Sequence, residues 1–212
     1  MNSNILTNKV SEAILDWTEN REKLVMAIDG YSGIGKTTLL NNLVALNKDI
    51  VPVNRDDFLF SRENVEEKLA KAEDKSKVWE YEVCNDQKLI GLIMAFRNNE
   101  NSYMVHTYDG ISGKTDEVKN FDLSKKIMLV EGVFMFHPEL PLNKFWDKRI
   151  YLEGDINKID ERRIKREKER WGKDYFPETH PDSYFRQVTT ALKRYQEMYH
   201  PEKVADLVLM VD

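Results

Sequence analysis

An apolar run that gives way to glycines and then to a lysine and two threonines, LVMAIDGYSGIGKTT over positions 24–38, restricts this chain more than any other stretch. The unbroken apolar stretch 24–28 fits a strand buried on both faces of a parallel sheet. It stops at Asp29-Gly30, and Leu39, Leu40, Leu43 and Val44 then recur at helical spacing. Between strand and helix, Gly30, Gly33 and Gly35 fall within six positions, a cost in chain entropy that makes sense where the backbone must turn through angles closed to other residues. Gly30, four residues, then Gly35-Lys36-Thr37 is the spacing of a phosphate-cradling P-loop. Its backbone N–H groups approach the anion, the lysine reaches the β- and γ-phosphates, and the hydroxyl meets Mg²⁺. A helix that begins near Lys36 also directs the positive end of its dipole at the same anion. The candidate nucleotide-binding residues are therefore Gly30, Ser32, Gly33, Ile34, Gly35, Lys36, Thr37 and Thr38, with Lys36 also acting on the transferred phosphate and Thr37 also a metal ligand.

The rest of the chain supports an α/β architecture. Residues 49–54, 126–130, 149–152 and 206–211 read as further short strands. Helical patterns lie between them: Leu89, Ile90, Leu92, Ile93 and Phe96; then 156–170; then Val188, Ala191, Leu192 and Tyr195. Val10, Ala13, Ile14 and Trp17 place another helix before the first strand. Strands alternating with helices imply a mostly parallel sheet of five strands with helices on both faces. Residues 100–122, with Asp109-Gly110 and Ser112-Gly113 between two strand-like pieces, predict a hairpin excursion. The highly charged stretch 61–78 reads as a solvated helix or a mobile segment. The 212 residues carry no Pro-rich linker or repeat and are expected to form one domain.

Composition narrows the partners. The net charge of −5 gives no general attraction to nucleic acid or to anionic lipid, so any phosphate must be met by a few focused cations. A single cysteine, Cys84, suits a reducing compartment, and no apolar stretch is long enough for a signal peptide or a membrane span, so the expected location is the cytoplasm.

In an open parallel sheet, ligands bind beyond the carboxyl ends of the strands. Acids stand at two further strand ends, Asp56 and Asp57 after the second strand and Glu131 after the third. An acid near Mg²⁺ orients its water shell, and an acid near a substrate hydroxyl holds that hydroxyl in line and accepts its proton. A third cluster lies in IDERRIKREKERWG, where Arg162, Arg166 and Arg170 form an i, i+4, i+8 row beside Arg163. Such a row either pairs with its neighbouring glutamates or covers a migrating phosphoryl group. Asn157-Lys158-Ile159-Asp160 matches the four letters that GTPases use to read guanine, but no Asp-x-x-Gly accompanies it, and the match is read as coincidence.

Taken in order, DGYSGIGKTT, RDDF, VEGVFMF, ERRIKRE and ADLVL resemble the uridine kinase and phosphoribulokinase family of P-loop kinases over nearly the whole chain. The resemblance implies ATP and Mg²⁺, a parallel sheet, and an arginine-bearing lid at about 156–176. It implies that Asp56 is the base that orients the acceptor, that Glu131 supports the metal, and that Arg162, Arg163 and Arg166 are lid arginines, with Arg162 and Arg166 acting in catalysis and Arg163 on the nucleotide. Tyr108 resembles the family's substrate-contacting tyrosine. The chain departs from uridine and cytidine kinases at Gly113, where they carry histidine, and at Leu59, where they carry tyrosine. Family members are often multimers, although no stripe in this chain marks an interface.

The expectation is an ATP-dependent kinase that transfers the γ-phosphoryl group to a hydroxyl of a small metabolite, a nucleoside first among them, with no nucleic-acid or membrane partner. The alternative from another class is a nucleotide-dependent switch or assembly ATPase that has no acceptor, with 61–78 as its partner surface.

Overall fold

The computed structural model describes residues 3–211. In chain order the elements are α1 (Ser3–Thr18), β1 (Leu24–Gly30), α2 (Lys36–Leu46), β2 (Ile50–Asn54), α3 (Arg62–Lys71), α4 (Lys75–Tyr81), α5 (Asp86–Arg97), β3 (Ser102–Thr107), β4 (Glu117–Asp122), β5 (Ile127–Glu131), β6 (Lys148–Gly154), α6 (Ile156–Trp171), α7 (Tyr184–Tyr199) and β7 (Leu207–Val211). Five of the strands form a sheet in the order β2-β5-β1-β6-β7, and every pairing in it is parallel. The sequence reading placed each of these strands within two residues of its observed ends.

Alternation along the strands divides the core. Leu24, Met26, Ile28, Ile127 and Leu129 face one side, against α1, α2 and α7. Val25, Ala27, Met128 and Val130 face the other, against α5 and the hairpin residues Val105 and Phe121. All seven residues of β1 and all five of β5 are buried, as continuous apolar runs in a doubly covered sheet require. The hairpin of β3 and β4 is antiparallel, with Val105 opposite Lys119, and forms a sheet of its own.

Residues 61–78 differ from the expectation of a solvated or mobile stretch. They form α3 and most of α4, each with a side-chain N-cap, Ser61 accepting from the Asn64 N–H and Asp74 from the Ser76 N–H. Val65, Val78 and Val83 gather with Leu69 and Trp79 into a small apolar cluster apart from the two faces of the sheet. The charges coat the outside of this cluster, which is why the sequence there reads as solvated. Among the described residues no helix is long and apolar enough to cross a membrane.

Candidate active site

β1 carries the chain to the carboxyl edge of the sheet at Asp29-Gly30, where it turns back through residues 31–35 and enters α2 at Lys36. Gly30, Gly33 and Gly35 all adopt positive φ, at 149°, 83° and 112°. At Gly33 there is a second reason for glycine, because an added Cβ would lie 2.8 Å from Cγ of Arg163. Ser32 is half-buried and Thr38 exposed, whereas the Ile34 side chain points into the core and its backbone N–H donates to the Tyr31 carbonyl at 3.2 Å, closing the turn of the loop.

Lys36 is 7% exposed, and its ammonium donates to the carbonyls of Gly30 at 2.9 Å and Tyr31 at 3.1 Å. Burial pulls its pKa below the usual lysine value, while Glu131, Asp29 and Asp56 hold the charge on it. Thr37 Oγ1 donates to Glu131 Oε1 at 2.7 Å. Glu131 ends β5 beside β1 and is buried, which raises its pKa against the opposing pull of Lys36 and the Thr37 hydroxyl. The sheet thus brings together three groups separated by up to 95 positions, with a hydroxyl and a carboxylate converging beside a cation.

A second buried acid, Asp29, stands under the loop. Its carboxylate accepts from the Tyr195 hydroxyl at 2.7 Å, the Gly30 N–H at 2.7 Å and the Phe136 N–H at 3.3 Å. Burial raises its pKa, and the Tyr195 hydroxyl and Lys36 oppose that rise. The tie from α7 to the loop was not legible beforehand, since the partners are 166 positions apart.

β2 ends in a 3₁₀ turn, Arg55–Phe58, capped by Asn54, whose side chain accepts from the Asp56 N–H at 2.9 Å. Asp56 is exposed and close enough to Lys36 to act on its charge. Asp57 instead pairs with Lys119 of the hairpin at 2.8 Å, and its carbonyl accepts from the Tyr108 N–H at 2.7 Å. Those two links fasten the hairpin to the turn. Beside the turn opens a cavity of about 800 Å³ lined by Asp56, Tyr108 and Arg170 together with a largely aromatic wall that includes Phe60, Trp79 and Tyr184. Val65 and Leu69 of α3 and Trp79 of α4 line it too, so the charged stretch 61–78 supplies part of the site. The available signal was Val65, Leu69 and Trp79 themselves, too sparse among charges to form a stripe.

α4 is locked in place from α7 and from Asp182 just before it. The Trp79 indole N–H donates to Gln187 at 2.8 Å, Lys75 pairs with Asp182, and buried Glu80 accepts from Arg194 Nε at 2.6 Å.

The arginines of α6 separate by role. Arg163 is buried against the glycine loop, donates to Asp160 at 2.8 Å and to Thr189 at 3.0 Å, and stacks over Tyr31 and Phe185. Arg162 and Arg166 are exposed, and neither lines the cavity, whereas Arg170 does. Asp160, the last letter of the guanine-reading match, is engaged by Arg163 and by the Tyr31 hydroxyl at 3.2 Å.

Comparison with known proteins agrees with this geometry. The model of the phosphoribulokinase / uridine kinase family matches residues 25–207. The chain belongs to that family. It is a small-molecule kinase of P-loop fold, a phosphotransferase with an alcohol acceptor and a nucleotide donor. Among solved structures, a possible uridine kinase from Bacillus stearothermophilus superposes with a TM-score of 0.72 at 20% identity, over 99% of this chain and 100% of that one. D-glycerate 3-kinase from Cryptococcus neoformans superposes with a TM-score of 0.60 at 14% identity, over 90% of this chain and 86% of that one. At those identities the likeness is one of fold. Nicotinamide riboside kinase 2 of Mus musculus is 25% identical over 146 residues, 68% of each chain.

Proposed function

We propose that the enzyme transfers the γ-phosphoryl group of ATP to a hydroxyl of a nucleoside-like metabolite, with Asp56 orienting that hydroxyl. The observation that carries this reading is the cavity of about 800 Å³ with Asp56 and Tyr108 in its lining and an aromatic wall opposite. Flat aromatic faces suit a planar base, which buries its rings against them. A small polyol or hydroxy acid would leave that apolar wall uncovered. A switch ATPase needs no cavity for an acceptor.

In this reading the loop amides and Lys36 hold the β- and γ-phosphates, and Asp56 accepts the hydroxyl proton as the new P–O bond forms. Thr37 and Glu131 would hold Mg²⁺. A hydroxyl and a carboxylate that meet at 2.7 Å are hard oxygen donors, and Mg²⁺ bound to a nucleotide takes only one or two protein oxygens, so the pair fits the ion. Mg²⁺ neutralises the charge that develops on the phosphate oxygens. Arg170, in the cavity lining, would supply a cation to the migrating group, Arg162 and Arg166 would join it only through movement of α6, and Arg163 serves the nucleotide through its packing on Gly33. Closure of this helix over the site would exclude the water that otherwise competes as acceptor.

The test is ADP release with ATP and Mg²⁺ in the presence of uridine, cytidine, nicotinamide riboside, glycerate or a free pentose. Acceleration by one or more nucleosides and not by the two smaller acceptors is expected. Preference for glycerate or the pentose would overturn the nucleoside reading, and release indifferent to every acceptor would favour the switch.

A further inference from the structure

Arg55 stands one residue before Asp56, yet its side chain turns inward and is 4% exposed. Nε and Nη2 donate to Asp86 Oδ1 at 3.2 and 3.0 Å, Nη2 reaches Asp86 Oδ2 at 3.2 Å, and Nη1 donates to the carbonyl of Val133 at 2.7 Å. One planar guanidinium therefore joins three pieces of chain: the turn that carries Asp56, the first turn of α5, and the turn beyond β5 that follows Glu131. The last of these lies flush against it. A Cβ added to Gly132 would stand 2.8 Å from Arg55 Cβ and 2.8 Å from the Met135 sulfur. Directly after the gripped carbonyl, Phe134 adopts φ 60° while buried. That conformation costs a bulky residue about 1–3 kcal/mol and persists only where its surroundings over-determine it.

The sheet sets part of this arrangement without Arg55, because Asn54 of β2 is in register with Glu131 of β5. It does not set the course of the chain beyond those two residues, and that is where Asp56 and the strained Val133-Phe134 turn lie. A buried ion pair is in itself weak evidence of a contribution to stability, since two apolar side chains of similar volume often serve a core as well. Such side chains could not hold the Val133 carbonyl, nor span it and Asp86 at once as the rigid guanidinium fork does.

We propose that Arg55 is a positioning residue for phosphoryl transfer, its Asp86 and Val133 contacts fixing Asp56 relative to Glu131 so that the acceptor hydroxyl meets the γ-phosphate in line. The inference rests on the kinase reading of the site above. It assigns Arg55 no contact with either substrate, so its loss leaves nucleotide binding intact and acts on transfer.

The test is the double variant Arg55→Met/Asp86→Leu, with Arg55→Lys beside it, each examined for melting temperature, ATP affinity, acceptor turnover and the fraction of ADP released without phosphorylated acceptor. The double variant is expected to fold, to melt somewhat below the wild type because the Val133 carbonyl loses its donor, and to bind ATP as the wild type does. Its kcat for transfer should fall about 10²-fold, the order expected for a misplacement of about 1 Å at a reacting centre. The uncoupled fraction of ADP should rise. Arg55→Lys, which retains the charge but cannot span both partners, should fold and show the same uncoupling in milder form. A folded double variant with wild-type kcat and coupling would overturn the proposal. Should the double variant fail to fold, wild-type kcat and coupling in Arg55→Lys would overturn it equally. Failure of the kinase reading would look different, because the wild-type chain would then release ADP at a rate no acceptor changes.

Discussion

Replacing Lys36 with methionine keeps the shape of the side chain and removes its charge, and the structure gives two separable consequences. The ammonium acts on two buried carboxylates, Glu131 and Asp29, and opposes the burial that raises both of their pKa values. It also satisfies the carbonyls of Gly30 and Tyr31. Removing one member of a buried charged set costs about 3–5 kcal/mol. At roughly 2–4 °C per kcal/mol for a chain of this size, Lys36→Met should melt on the order of 10 °C lower. The loss should depend on pH with a definite sign. A carboxyl whose folded pKa is raised favours the folded state below the ordinary carboxylate range and loses that contribution as pH rises through the folded value. Without Lys36 both folded values rise further. The deficit of the variant is therefore smallest near pH 4, about the ordinary carboxylate pKa, and widens as the pH climbs. Turnover should fall by about 10²–10³-fold, since one preorganised donor to a developing anion contributes roughly 3–4 kcal/mol. Denaturant titrations at several pH values, with ADP release at one of them, measure both. A deficit of equal size at every pH would refute the action of the ammonium on the two acids, and wild-type turnover would refute its role at the phosphate.

Three further substitutions test other parts of the site. Asp56→Asn should leave ATP affinity near normal and reduce transfer by about 10²–10⁴-fold, the range for a general base, and an equal loss of both would make Asp56 a structural or metal group. Gly33→Ala places a side chain at φ 83° and 2.8 Å from Arg163 Cγ, at a cost of about 1–2 kcal/mol for the left-handed backbone alone; titration with a fluorescent nucleotide should show weakened binding, and unchanged affinity would contradict the loop geometry. Tyr195→Phe removes the hydroxyl that lowers the Asp29 pKa and should destabilise by about 1–3 kcal/mol in urea titrations, more at pH 8 than at pH 5, so a larger loss at pH 5 would count against the bond.

Features carried by adjacent residues were readable in the sequence, and features assembled by the sheet were not. β1, the glycine loop and the start of α2 are contiguous, and their periodicity and glycine spacing are local signals. The acids were legible too, because each follows a strand and strand ends face one edge. What could not be read was which side chains turn inward. Arg55 sits among RDDF, where the acids draw attention, and only the packing of Gly132 and the start of α5 show that the arginine is buried with Phe58 while Asp56 stays exposed. Arg163 and Arg166 look equivalent in the sequence, yet one turn of helix separates a guanidinium buried against Gly33 from one in solvent. The charged 61–78 segment hid its few apolar residues for a similar reason, since α3 covers a cavity and α4 reaches the main core only through Trp79 and Tyr81 beyond the segment, and a short apolar edge suffices for that.

Because β1 lies in the middle of the sheet, it emerges from the ribosome long before either neighbour. It ends at Gly30, whereas β5 ends at Glu131 and β6 at Gly154. At about 5–20 residues per second, the greasy segment waits on the order of 6–25 s for its second neighbour to be translated. The β3–β4 hairpin, by contrast, closes within its own short span. A nascent chain of this enzyme should therefore engage a chaperone through residues 24–28 and acquire affinity for nucleotide only after residue 154 has cleared the exit tunnel.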